Sequence, residues 1–128
     1  AKKMVATVLT YDGMPKAKRP GRESPLDLVH LAKQTLGDRS LEQEVLRLFL
    51  KQSELCLARI KGAVTSDERF QAAHTIKGSA RNIGAWHVAE AALLIEGACE
   101  REQLADLDAL EATLKETRTF IASLLDTH

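Results

Sequence analysis

Residues 74–85 have the sequence His-Thr-Ile-Lys-Gly-Ser-Ala-Arg-Asn-Ile-Gly-Ala, and the rest of the fold can be built outward from this stretch. On an α-helix, residues three, four and seven positions apart share a face, which groups His74 with Lys77, Gly78 and Arg81. The apolar residues form a second face, centred about 120° away at roughly 100° per residue: Ala73, Ile76, Ala80 and Ile83. The pattern therefore predicts an amphipathic helix with His74 on its exposed flank and not in the core.

The residues around His74 favour phosphoryl chemistry. A glycine inside a helix costs about 1 kcal/mol relative to alanine, and Gly78, one turn after the histidine, clears an approach for another protein's backbone. Lys77 and Arg81 bring cations to the same face, where they favour the neutral, nucleophilic imidazole and stabilise an attached phosphoryl group. An exposed nucleophile with nearby cations and an open approach indicates phosphoryl transfer on His74.

Two helices are predicted before the helix of His74. Ser24 followed by Pro25 indicates an N-cap with proline at the first helical position, and Gly37 indicates the end of that short helix. Ser40, with a glutamine three residues later, is a capping-box signal for a second helix that extends to about residue 63. The apolar residues of this second helix fall on one face: Val45, Phe49, Cys56 and Ile60.

The helix of His74 and the two that follow it also have local signals. Thr65 with Glu68 is a capping box that predicts a helix from Ser66 to about Asn82, with Gly84 as its stop. Helical spacing of apolar residues predicts two more helices, which contain Ala85, Val88, Ala92, Ile95 and Cys99, and then Leu107, Leu110, Leu114, Thr117, Ile121 and Leu124. Short connections make neighbouring helices antiparallel. The sequence therefore predicts an all-α fold: an antiparallel up-down four-helix bundle with an additional short N-terminal helix across one end.

Composition divides the chain and limits its partners. Residues 1–24 contain a basic cluster among prolines and glycines and are predicted to be an extended arm, with residues 25–128 as the bundle. The 18 basic and 18 acidic side chains cancel, so we expect neither a nucleic acid nor a membrane as partner. We expect a cytoplasmic protein, since no apolar run spans a bilayer and no secretory signal is evident, and a monomer, since one bundle can bury its own apolar faces. Cys56 and Cys99 lack metal-ligand spacing and are predicted to be buried thiols, with no metal site.

The stretch around His74 resembles the signature of histidine phosphotransfer (HPt) domains. That signature begins with a histidine, followed after two residues by Lys-Gly-Ser and a small residue, and it ends with an aliphatic residue, Gly and Ala. The matching residues here are His74, Lys77, Gly78, Ser79, Ala80, Ile83, Gly84 and Ala85. The resemblance covers about residues 25–125, including Leu94-Ile95-Glu96 downstream and Leu36-Gly37-Asp38 upstream. Arg81 stands where many members have a small residue, a difference that bears on the choice of partner.

The resemblance implies a phosphocarrier of a multistep two-component phosphorelay, and not an enzyme. His74 would be the phosphoacceptor through Nε2, taking a phosphoryl group from a receiver-domain aspartate and passing it to another receiver. Lys77 would stabilise the phosphoryl group. The implied partners are response-regulator receiver domains and a sensor or hybrid histidine kinase. No cofactor is expected to be bound, and Mg²⁺ would come from the partner receiver.

The remaining motif residues fall into two groups. Three are expected to provide receiver access and docking: Gly78, Arg81 and Gln71. Three are expected to pack the motif: Ser79, Ile83 and Gly84.

Two alternatives start from the same histidine. A dimeric histidine-kinase core usually has an acidic residue after its histidine and a proline soon after, whereas Thr75 follows His74 and no proline occurs after Pro25. No phosphate-binding glycine loop is present either, so we do not expect phosphorylation from ATP by this chain itself. The other alternative is a helical docking module or inhibitor that binds a receiver or histidine kinase without being phosphorylated. Replacing His74 separates this module from a phosphocarrier.

Overall fold

The computed structural model describes residues 24–126, and all regular secondary structure in this range is helical. The helices are α1 (Leu28–Gln34), α2 (Arg39–Gly62), α3 (Ser66–Ile83), α4 (Trp86–Glu100) and α5 (Asp108–Asp126). The predicted all-α fold, with a short helix before four longer ones, is confirmed over these residues. The predicted basic arm lies outside the described residues apart from Ser24.

Helices α2 to α5 form the four-helix bundle, and α3 contacts three of the other helices. α3 packs against α4 on one side and α2 on the other, while α5 closes the bundle by contacting both α2 and α4. α1 packs against α3, close to the corner where α3 meets α4. The connections between α2 and α3 and between α3 and α4 are short, which is typical of antiparallel neighbours in a bundle.

Small side chains separate α3 from α4. Both helices bury several alanines, which allow two helix backbones to approach more closely than leucines would: Ala72, Ala73 and Ala80 on α3, and Ala89, Ala91 and Ala92 on α4. The larger core residues Ile76, on α3, and Ile95, on α4, are also buried. This close packing brings side chains from the outer edges of the two helices within hydrogen-bonding reach of each other.

The starts of α1 and α2 differ from the sequence prediction. α1 begins after Asp27, whose Oδ1 accepts a hydrogen bond from the His30 backbone N–H at 3.1 Å. Ser24, the predicted cap, instead accepts from the Leu26 backbone N–H at 3.3 Å in a turn before the helix. α2 begins after Asp38, which accepts from the Leu41 N–H, so Ser40 lies inside the helix. An aspartate caps as well as a serine does, and its negative charge also suits the helix dipole.

The end of α1 also comes earlier than predicted. The helix stops at Gln34, and Leu36 and Gly37 both have positive φ, at 55° and 75°. The Gly37 N–H donates back to the Ala32 carbonyl oxygen at 3.0 Å. Gly37 therefore closes the turn beyond the helix, as glycine in the left-handed conformation commonly does, and does not cap its last helical residue.

The two ends of α3 are formed as predicted. Thr65 Oγ1 accepts from the Glu68 backbone N–H at 3.1 Å, and Glu68 Oε1 accepts from the Thr65 N–H at 3.2 Å, which completes the capping box. The backbone N–H groups of Val64 and Thr65 hold the pKa of the Glu68 carboxyl below its ordinary value. At the other end, Gly84 adopts the left-handed conformation at a φ of 84° and stops the helix.

Asp27 joins the start of α1 to the corner between α3 and α4. Its backbone N–H donates to the Gly84 carbonyl oxygen at 2.9 Å, and its Oδ2 accepts from the Trp86 indole N–H at 3.0 Å. A Cβ on Gly84 would lie 2.8 Å from the Asp27 Cβ and 2.9 Å from its carbonyl oxygen. The corner therefore has room for a glycine and for no larger residue.

Two other sequence predictions concern side chains away from His74. Cys56 and Cys99 are buried free thiols, as expected, and burial raises the pKa of Cys56, opposed in part by the charge of Arg59. None of the helices between residues 24 and 126 is long and apolar enough to cross a membrane.

Candidate functional site

His74 lies near the middle of α3 on its exposed side. Its side chain is 61% exposed, whereas its neighbours Ala73 and Ile76 are completely buried. The predicted division of the helix into a core face and an exposed flank with the histidine is therefore confirmed. A mostly exposed imidazole is accessible to a partner protein in a way that a core histidine is not.

The imidazole is held from one side by a buried carboxylate. His74 Nδ1 lies 2.7 Å from Oε2 of Glu96, which projects from α4 and is only 6% exposed. A carboxylate accepts hydrogen bonds, so this contact assigns the ring proton of a neutral imidazole to Nδ1. Nε2 then keeps its lone pair, which is the requirement for a nucleophile.

Lys77 neutralises the same carboxylate. Its Nζ lies 2.6 Å from Glu96 Oε1, and the lysine side chain is 12% exposed. A buried carboxylate is costly unless it is paired and hydrogen-bonded, and Lys77 and His74 together occupy both of its oxygens. The sequence predicts that Lys77 lies on the same helix face as His74. In the structure, the Glu96 carboxylate bonds to both side chains.

Phe70 contacts the imidazole from the preceding turn of α3. The two rings are nearly parallel, at 11°, with their centroids 5.9 Å apart. The phenyl ring is half-buried and packs against the hydrophobic core, whereas the imidazole is mostly exposed.

The three predicted docking residues share the exposed surface around His74. Gly78 follows one turn after the histidine, and a Cβ built on it would meet no atom within 4 Å. Gln71 and Arg81 are both exposed. Within residues 24–126 the Arg81 guanidinium has no ion-pair partner, so its charge is available to an approaching protein.

The three predicted packing residues connect α3 to its neighbours. Ile83 is buried, and Gly84 forms the corner already described. Ser79 Oγ donates to Gln52 Oε1 on α2 at 2.6 Å. Gln52 thereby marks the side of α2 that faces the motif.

An apolar stripe follows this side of α2. Leu48 and Leu55 are exposed, four residues before and three residues after Gln52, and helical spacing places all three on one face. Exposed leucines that adjoin a chemically distinctive surface are typical of protein interaction sites.

The contacts of His74 with Glu96 and Phe70 were not predicted from the sequence. Glu96 belongs to the segment that carries the family resemblance, but its distance along the chain from His74 gives no sign of contact. Phe70 stands four residues before His74, a spacing at which helical side chains meet, so the stack could have been inferred from the sequence.

Comparisons with known proteins agree with this architecture. A family model described as Hpt domain matches residues 44–126. The crystal structure of the histidine phosphotransferase ShpA from Caulobacter crescentus matches with 27% identity and a TM-score of 0.65, covering 81% of this chain and 93% of that one. No curated protein matches the sequence significantly. Because the family model spans well over half of the chain, this protein belongs to the Hpt domain family, whose members are phosphocarriers of phosphorelays.

Proposed function

We propose that this protein accepts a phosphoryl group on Nε2 of His74 from the aspartate of a receiver domain and passes it to another receiver. The observation that carries the proposal is an exposed imidazole whose other nitrogen is bound by the buried Glu96 carboxylate. Membership of the Hpt family supports the general role, and the hydrogen-bond geometry supports His74 as the acceptor.

The Glu96 contact suits a reversible transfer. Nε2 attacks phosphorus, the bond from phosphorus to the aspartate oxygen breaks, and the aspartate leaves as a carboxylate. The proton on Nδ1 stays in place, so the phosphorylated ring is a cation opposite the Glu96 carboxylate. When the P–N bond breaks again, its electron pair returns to Nε2 and leaves a neutral imidazole. The same position of the ring proton therefore serves both directions of transfer, and Lys77 binds the other oxygen of the Glu96 carboxylate.

The partner supplies the rest of the chemistry. Phosphoryl transfer depends mainly on positioning and on neutralising the oxygens of the phosphoryl group. We expect Mg²⁺ to be brought by the receiver domain, and the phosphoryl group to originate from a sensor or hybrid histidine kinase in the cytoplasm. In this scheme the chain is a carrier and not an enzyme.

A receiver would dock on the surface formed by α2 and α3. Gly78 leaves room for its backbone, and the exposed Leu48 and Leu55 offer apolar area beside it. Arg81 and Gln71 would contact polar groups at the rim, where charge pairs mainly set specificity and association rate.

The test is phosphoryl transfer from a phosphorylated receiver to the wild-type protein, to His74→Gln and to His87→Gln. His87 is a matched control, because its Nδ1 also lies near a carboxylate, 3.1 Å from Glu116, but its side chain is only 27% exposed. We expect acid-labile label on the wild type and on His87→Gln, and none on His74→Gln.

Two outcomes would contradict the proposal. Label on His74→Gln would move the site to another residue. A folded wild-type protein that takes no label from several receivers, yet still binds them, would favour the docking module.

A further inference from the structure

We infer that Phe70 is a positioning residue for transfer, an inference that rests on the proposed function of His74. The phenyl ring stacks on the imidazole at 11° with a centroid separation of 5.9 Å. Phe70 fixes the plane of the imidazole and thereby the direction in which Nε2 presents its lone pair.

The Glu96 contact alone does not fix that direction. A single hydrogen bond at Nδ1 holds one edge of the ring, but the ring can still tilt about this contact. Exposed side chains exchange between rotamers, and the terminal torsion of a histidine is broad. The flat face of Phe70 removes this freedom, since a tilted imidazole would lose its parallel contact with the phenyl ring.

Phe70 is itself well anchored. It is half-buried and packs against the core cluster of the bundle, while His74 is mostly exposed. The two contacts on the imidazole therefore come from groups fixed by the interior, the phenyl ring on α3 and the carboxylate on α4. This is how a surface side chain can be held in one orientation without being buried itself.

Phe70 and Gly78, which flank His74 along α3, differ in the surface that they offer to a partner. Phe70 lies one turn before His74, and Gly78 lies one turn after it with open space around its Cα. A partner therefore meets a filled surface on one side of the imidazole and an unobstructed one on the other. Reacting groups must be aligned as well as close, and misplacement by about 1 Å can reduce a rate by about 100-fold.

The first experiment measures transfer from a phosphorylated receiver as a function of receiver concentration. We expect Phe70→Ala to lower the maximal transfer rate by about tenfold without changing the receiver concentration at half-maximal rate. Phe70→Tyr keeps a flat ring and should transfer at the wild-type rate, whereas Phe70→Leu should behave like the alanine variant.

Phe120→Ala is the matched control for lost packing. Phe120 lies on α5 and is also a partly buried phenylalanine packed against the core. We expect this variant to lose comparable stability and to keep the wild-type transfer rate. Equal rate losses in Phe70→Ala and Phe120→Ala would overturn the inference, as would a loss in Phe70→Ala that raises only the half-maximal receiver concentration.

The second experiment observes the imidazole directly by NMR of the unphosphorylated protein. We expect a ring-current shift on the His74 ring protons that is present in the wild type and Phe70→Tyr and absent in Phe70→Ala. The Nδ1–H tautomer should persist in all three, because Glu96 holds that proton. Unchanged His74 shifts in Phe70→Ala would refute the stack.

These measurements separate the two proposals. If His74 is labelled and Phe70→Ala transfers at the wild-type rate, the positioning inference fails and the proposed function stands. If the wild type takes no label, the proposed function fails, and the inference fails with it even if the NMR shifts confirm the stack.

Discussion

Gly78 and Gly84 belong to one short motif, and their surroundings are opposite. At Gly84 the backbone is left-handed, with a φ of 84°, and an added Cβ would overlap Asp27 at 2.8 Å. At Gly78 the backbone is helical and an added Cβ would touch nothing within 4 Å. The fold of this chain explains Gly84 completely and leaves Gly78 unexplained.

This difference separates the structural part of the motif from the part directed at a partner. A glycine inside a helix costs about 1 kcal/mol relative to alanine, and no intramolecular contact at Gly78 requires it. Under the proposed function, the reason for the glycine is access of a receiver to the surface that Gly78 shares with His74. Two substitutions that look alike in the sequence should accordingly have opposite consequences.

The largest effect should follow from a bulky side chain at Gly78. We expect Gly78→Leu to reduce transfer from a phosphorylated receiver by about 100-fold, which corresponds to about 2.7 kcal/mol in the transition state. The side chain would project over the open surface beside His74 and hold the receiver away. Circular dichroism should show an unchanged bundle, and Ala58→Leu, also exposed and lying on α2, is a control for added apolar surface. Wild-type transfer by Gly78→Leu would remove the access argument.

The second-largest effect is on stability. It is measured by placing alanine at Gly78 and at Gly84. Gly84→Ala should lower the free energy of unfolding by more than about 1–2 kcal/mol, which is the cost of left-handed backbone alone, because Asp27 must also move. Gly78→Ala should raise the free energy of unfolding by up to about 1 kcal/mol. Urea unfolding of both variants measures the two changes. Changes of the same sign would mean that the two sites are not distinguished by the fold.

The smallest effect concerns the opposite end of α3, where its N-terminal cap is on the surface. Thr65→Ala removes the hydroxyl that accepts from the Glu68 N–H, and we expect it to lower the free energy of unfolding by about 1 kcal/mol. The loss should be smaller than at Gly84, because an exposed cap can be replaced by water while an overlap with Asp27 cannot.

The capping box of Thr65 and Glu68 also makes the stability of the protein decrease at low pH. The pKa of Glu68 is lower in the folded protein than its ordinary value of 4.5, because backbone N–H groups bind the carboxylate. The stabilisation that the Glu68 carboxylate gives the folded protein is therefore complete above about pH 4.5. It is lost as the pH falls through the lower pKa of the folded state. Glu68→Gln should flatten this part of the acid unfolding curve, whereas Glu54→Gln, an exposed residue on α2, should not.

The features predicted correctly from the sequence are the ones that neighbouring residues determine. The Thr65 capping box, the Gly84 stop and the exposed flank of His74 each depend on residues within one or two helical turns. The predicted starts of α1 and α2 were wrong because an aspartate lies within three residues of each serine, and Asp27 and Asp38 cap the two helices instead. Both residue types are good caps, so local preference could not decide between them.

The contacts that hold the imidazole in place could be predicted only in part. Glu96 reaches His74 from a different helix, and the register between α3 and α4 depends on how their buried alanines pack. No local pattern encodes that register. Phe70 lies on the same helix as His74, and the spacing of four residues was sufficient to predict contact.

The contacts of Asp27 and of the leucines beside it also bear on where this chain can be shortened. The match to the family model begins at residue 44, yet Leu26 and Leu31 are fully buried in the core. A fragment cut at residue 44 would lose the burial of these two leucines, which contributes about 1.5–3 kcal/mol for each side chain. It would also remove Asp27, whose carboxylate accepts from the Trp86 indole N–H and whose backbone N–H donates to the Gly84 carbonyl oxygen. An expression boundary chosen from the family match alone would therefore produce an unstable protein, and a sound boundary lies before Leu26.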